Sequence, residues 1–128
     1  MTQTVRLITI AFALLTAVAF RPVQSIDTII GALRAGNVNE MAKYMEGNVD
    51  MALPDKSDNY SKAQAVLILK DFFSRNGVNG FEVKHKGDNN GSQYCIGMLQ
   101  TRSGLYRATV FMKAEGSRQI IKEIRIQP

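Results

Sequence analysis

Tryptophan is absent, cysteine and histidine occur once each, and proline occurs three times in 128 residues. Each shortage removes a class of explanation. A single cysteine, Cys95, excludes an internal disulfide, so packing alone must hold the core. One His, one Cys and scattered acids offer no zinc-type ligand spacing, and no metal or other cofactor is expected. Asp55, Asp58 and Asp88 fall in turn-rich stretches, where Asp favours local geometry. No Pro/Gly/Ser-rich linker, repeat or low-complexity block divides the chain. Basic residues are not interleaved with aromatics in a stacking motif, which argues against nucleic acid.

Long apolar runs are also scarce. The one present, Leu7 to Phe20 (LITIAFALLTAVAF), follows Arg6 and precedes Arg21-Pro22. A basic start, an apolar core and a small-residue exit make a secretory leader. The run is shorter than the roughly 20 residues of a membrane span, so no stable membrane insertion is expected after cleavage. No Cys follows it to take a lipid. Two cuts fit: after Ala17-Val18-Ala19, before Phe20, or after Val23-Gln24-Ser25, before Ile26. The second is preferred at this level because Ile26 begins the first segment with globular patterning. The expectation is a leader over 1–25, one domain over 26–128, and a periplasmic or extracellular address.

The full chain carries +5. Losing Arg6 and Arg21 leaves about +3, unevenly placed. From Gly80 onward eight basic residues face four acids, whereas 26–79 hold six basic and seven acidic side chains. A solvated strand face with Lys and Arg guarding its edges accounts for the excess.

Ile26 to Arg34 has apolar residues at 26, 29, 30 and 33, a helical stripe that Gly36 ends as a left-handed cap. Asn37 caps a second short helix, Asn37 to Met45. Asn48 to Leu53 alternates as a strand stopped by Pro54, and Pro54 to Tyr60 reads as polar loop. Ser61-Lys62-Ala63-Gln64 is a capping box opening a helix from Lys62 to about Arg75, closed by Asn76-Gly77. After Gly80 the period becomes two. Asp88-Asn89-Asn90-Gly91 signals a hairpin, and strands over 92–101, 105–114 and 119–126 follow. The order α-α-β-α, then a four-strand antiparallel meander, is an α+β layer fold.

The segments LPDKSDNYSKAQAVLILKDFF, FEVKHKG, GSQYCIGML and IIKEIRI resemble domain of unknown function 4783, a family of small exported bacterial proteins. The resemblance covers essentially all of 26–127. It implies a nuclear-transport-factor-2-like fold, a curved sheet wrapped partly around three helices as a cone. It implies no activity, since the family has no assigned chemistry and the wider fold hosts enzymes and binders alike.

His85 is the only side chain whose ordinary pKa lies near neutrality. Period-two counting puts it on one face with Phe81 and Val83, pointing into the cone. A two-residue Asn-Gly turn sets it opposite Ile96, sharing a face with Tyr94 and Met98. The same register puts Cys95 on the opposite face, against a Cys–His nucleophilic pair. His85, Tyr94, Met98, Tyr106 and Phe73 are the candidate ligand-pocket residues; no catalytic residue is assigned. Tyr94, Ile96 and Met98 on one face of β-structure and Cys95 and Leu99 on the other leave apolar side chains beyond what three helices can cover. A homodimer through the sheet face is therefore expected, with Phe111 or its neighbours near its centre. The favoured reading is an exported non-catalytic module that binds an envelope ligand or protein. The alternative is a small-molecule lyase or isomerase using His85 with Tyr94 or Asp50 in the cone.

Overall fold

A computed structural model describes residues 24–128. The leader expectation therefore falls outside the described residues, apart from Gln24 and Ser25. Three helices pack on a six-stranded sheet. The helices are α1 (Ser25–Ala35), α2 (Val38–Ala42) and α3 (Lys62–Asn76). The strands are β1 (Asn48–Ala52), β2 (Ser57–Ser61), β3 (Val78–Asn89), β4 (Ser92–Thr101), β5 (Gly104–Glu115) and β6 (Arg118–Gln127). Their order across the sheet is β2-β1-β6-β5-β4-β3, antiparallel except where β1 runs parallel to β6. Among the described residues no helix is long and apolar enough to cross a membrane.

The local signals act where the sequence places them. Gly36 takes φ 65° and its N–H donates to the carbonyl of Leu33. The Asn37 side chain accepts from the Glu40 N–H. Ser61 and Gln64 exchange both capping-box hydrogen bonds at the start of α3. Asn90 and Gly91, both at positive φ, form the two-residue turn between β3 and β4. Such turns match the right-handed twist of the strands they join.

One element differs in kind from the sequence reading. Pro54 to Tyr60 is not wholly loop, because Ser57–Ser61 forms β2, paired antiparallel with β1 from Asn48↔Ser61 to Ala52↔Ser57. Four of its five residues are exposed, and only Tyr60 is half-buried. A short polar edge strand has no apolar alternation by which to be recognised, and its polarity shields the edge from further pairing. The second helix is also shorter than the predicted Asn37–Met45, with Met41 and Met45 still buried.

All three helices cover one face of the sheet. Cys95, Leu99, Ala108, Val110, Met112, Ile121, Ile124 and Ile126 project inward and join one cluster with Ile26, Ile29, Leu33, Met41, Leu69, Phe72 and Phe73. This inner face is closed by hydrocarbon. The outer face carries the chain's other periodicity.

Candidate functional site

Three β-bulges decide which residues meet on each face. Counting back from the Asn90-Gly91 turn places His85 opposite Ile96, as the sequence reading has it. Between His85 and Val83, however, the register shifts, so Lys84 is an extra residue in β3. A bulge reverses the facing of everything beyond it. Phe81 and Val83 consequently face the core, whereas His85 turns to the outer face and is exposed. The expectation that His85 points into the cone is corrected by this one residue. A second bulge, at Asn79, starts the same strand. A third, at Lys122, shifts the β5–β6 pairing so that Arg107 meets Gln127 and Thr109 meets Arg125.

The five candidate pocket residues are accordingly split between two faces. Phe73 is buried on the sheet-facing side of α3. Tyr106, half-buried on the inner side, stacks edge-on against Phe72 at 5.3 Å between centroids, and its hydroxyl donates to Asn76 Oδ1 at 3.3 Å. These contacts anchor the end of α3. Tyr94 and Met98 lie with His85 on the outer face, half-buried. The Tyr94 ring covers Gly87, where any Cβ would lie 2.8 Å from ring carbon Cε1. No single pocket gathers all five. Asp50, the other proposed partner of His85, lies on β1, four strands from β3 and so roughly 19 Å away at about 4.8 Å per strand.

Cys95 faces the core opposite Val110 and is fully buried. Burial pushes its thiol up to about 11, with a hydrogen bond from the Val110 backbone acting weakly the other way. A thiol held neutral in this way is not a nucleophile.

The outer face holds three shallow grooves. One, of about 320 Å³, is lined by Lys84, His85, Ile96, Gly97, Met98 and Arg107. The next, of about 370 Å³, lies between Arg107, Thr109, Arg125 and Gln127. The third, of about 240 Å³, includes Asp50, Ser57, Glu123 and Arg125. Lys84 pairs with Glu82 at 2.9 Å and Arg125 with Glu123 at 2.5 Å. Arg107 has no carboxylate within 4.0 Å among the described residues. Apolar Tyr94, Ile96 and Met98 run down β4, and Phe111 beside Tyr94 on β5 is 37% exposed. The cross-strand square of Arg107, Gln127, Thr109 and Arg125 is absent from the sequence reading. Counting from the Gly116-Ser117 turn would set Arg107 opposite Ile126, and only the Lys122 bulge corrects it. Among the described residues no three His, Cys, Asp or Glu side chains gather as a metal site.

This architecture and its sequence now meet known proteins. The profile of a domain of unknown function, DUF4783, matches residues 26–127. The chain belongs to the DUF4783 family. A DUF4783 protein of Bacteroides uniformis is 33% identical with a TM-score of 0.77, the match covering 81% of this chain and 96% of that one. One of Bacteroides ovatus is also 33% identical, with a TM-score of 0.74 over 81% of this chain and 93% of the other. An NTF2-like protein of unknown function from Cytophaga hutchinsonii shares 12% identity and a TM-score of 0.58, covering 83% and 90% of the two chains. At that identity the likeness concerns the fold alone: the DUF4783 chain has the α+β, nuclear-transport-factor-2-like architecture. No curated protein matches it.

Proposed function

We propose that this DUF4783 protein is an exported, non-catalytic binding module whose contact surface is the outer face of its sheet, and that a second copy of the chain docks there. The carrying observation is the apolar strip of Tyr94, Ile96, Met98 and Phe111, on the face that no helix covers. The export address rests on Arg6, the Leu7–Phe20 run and Arg21-Pro22. Against a lyase or isomerase stands the chemistry available. A proton-transfer site needs its groups within hydrogen-bond reach of one substrate. His85 is exposed, Asp50 is distant, and the groove beside His85 does not include Tyr94.

The position of the apolar strip favours a self-complementary contact. Tyr94, Ile96 and Met98 lie on β4 and Phe111 on the neighbouring β5. A twofold axis parallel to the strands, between two stacked sheets and over the β4–β5 pair, lays β4 of one copy over β5 of the other and β3 over β6. The apolar strips then meet at the centre, as an isologous interface requires. The four strands β3–β6 that then overlap span roughly 19 Å at about 4.8 Å per strand, and over strands of ten to twelve residues this approaches the ~800 Å² per partner of a standard interface.

Sedimentation of the mature protein at micromolar concentration tests this. A dimer is expected, with Phe111→Lys converting it to monomer without loss of folding. A monomer whose state ignores Phe111→Lys overturns the docking proposal. Export is tested separately by fractionating cells that express the full chain.

A further inference from the structure

The first turn of α1 is tied down in a way that bears on how the chain is processed. Ile26 is 1% exposed, and its N–H donates to Gln93 Oε1 at 3.0 Å. Gln93, on the inner side of β4, is itself buried. The N–H groups of Asp27 and Thr28 both donate to the Gln24 carbonyl, at 3.0 and 3.4 Å. A helix leaves its first N–H groups without partners inside the helix. Here the Gln24 carbonyl and Gln93 from the sheet satisfy two of them, those of Asp27 and Ile26, and the same carbonyl takes the first i→i−4 bond of the helix, from Thr28. The Gln24 side chain takes no part, so its backbone alone serves as the cap.

We infer that the leader is removed upstream of Gln24, by hydrolysis of the Ala19–Phe20 bond, so that the mature chain begins at Phe20 rather than Ile26. This rests on the export reading above. Leader cleavage acts on the unfolded chain, and the small-residue rule admits both Ala17-Val18-Ala19 and Val23-Gln24-Ser25. The two products nevertheless differ once folded. A cut after Ser25 removes the Gln24 carbonyl and strands the Asp27 and Thr28 N–H groups. It also turns the Ile26 amide into an ammonium at the positive end of the helix dipole, where positive charge is disfavoured. That ammonium would sit on a core residue with a single protein acceptor, Gln93 Oε1.

A cut after Ala19 has none of these consequences. Water adds across the amide, leaving the carboxylate on Ala19 in the leader and the amine on Phe20 in the mature chain. The new charge lies five residues before α1. Gln24, Ser25 and the Gln93 contact all survive. The preference for Ile26 drawn from patterning is thereby reversed: Ile26 begins the apolar stripe, but the helix that carries it needs the residues before it.

The test expresses the full chain, leader included, in an exporting bacterial host, and reads the mature terminus by N-terminal sequencing and intact mass. A chain beginning at Phe20 is expected. One beginning at Ile26 overturns the inference while leaving export intact. An unprocessed Met1 overturns the export reading, and the inference falls with it. A second measurement compares chains released from a fusion with Phe20 or Ile26 as first residue. The Phe20 chain should melt higher, by on the order of 5–10 °C for a domain of this size, and its α1 amides should exchange more slowly. Equal melting and equal exchange overturn the physical argument.

Discussion

Replacing Gly97 by alanine should destabilise this protein although Gly97 has no unusual backbone angle. Gly97 lies in β4 opposite Val83, next to the Lys84 bulge. The bulge and the pleat bring β3 so close that a Cβ on residue 97 would lie 2.2 Å from the carbonyl oxygen of Glu82. It would also lie 2.6 and 2.9 Å from two carbons of the Phe81 ring. The ring can shift, but the carbonyl belongs to the backbone of the bulged strand. Forcing a methyl into a packed site costs about 1–3 kcal/mol, and a backbone obstacle puts this case at the upper end. Against it stands a gain of roughly 0.4–1 kcal/mol from a less flexible unfolded chain. The net loss is about 2 kcal/mol, or on the order of 10 °C in Tm. Gly31 is the internal control. It lies on the exposed face of α1, and nothing comes within 4 Å of an added Cβ. Gly31→Ala should therefore stabilise by roughly 0.5–1 kcal/mol, the cost of glycine in a helix. Urea unfolding of both variants, with m-values compared to the parent, decides the matter. A neutral or stabilising Gly97→Ala would refute the reasoning, because it would mean that β3 and β4 do not approach as closely as the bulge demands.

Other substitutions probe the remaining links. Ser61→Ala should cost about 1 kcal/mol through the lost capping box of α3, whereas Phe73→Ala should cost roughly 3–5 kcal/mol from the core; equal small effects in chemical denaturation would mean that α3 does not pack as described. Gln93→Leu keeps the volume but leaves the Ile26 N–H without its acceptor, so a loss of about 1–3 kcal/mol is expected, read by faster amide exchange at the start of α1. Cys95 should resist alkylation at pH 8 in the folded protein and react once urea unfolds it, since burial pushes the thiol up to about 11. The unfolded thiol ionises near its ordinary value of about 8.5, so this contribution to stability is complete below that pH and is lost as pH rises toward about 11. Comparing the pH dependence of stability with that of Cys95→Ala isolates it; identical slopes above pH 8.5 would contradict the burial.

The sequence by itself determined whatever depends on neighbours along the chain. The glycine cap at Gly36, the Ser61–Gln64 capping box and the Asn90-Gly91 turn act through hydrogen bonds spanning a few residues, and the three strands after the turn carry a period of two, so their signatures are local. The family resemblance and the α+β class followed from the same segments. Only the tertiary structure decided which face His85 occupies, that Ser57–Ser61 is a strand, and that Arg107, Thr109, Arg125 and Gln127 share a groove. The physical reason is parity. Side chains alternate along a strand, so a single unpaired residue, Lys84 in β3 or Lys122 in β6, reverses the facing of everything beyond it while leaving the composition unchanged. An edge strand such as β2 is equally silent, because its pairing comes from β1 and its own side chains bury almost nothing. The cap that Gln93 gives Ile26 spans 67 residues, and no pattern within either segment announces it.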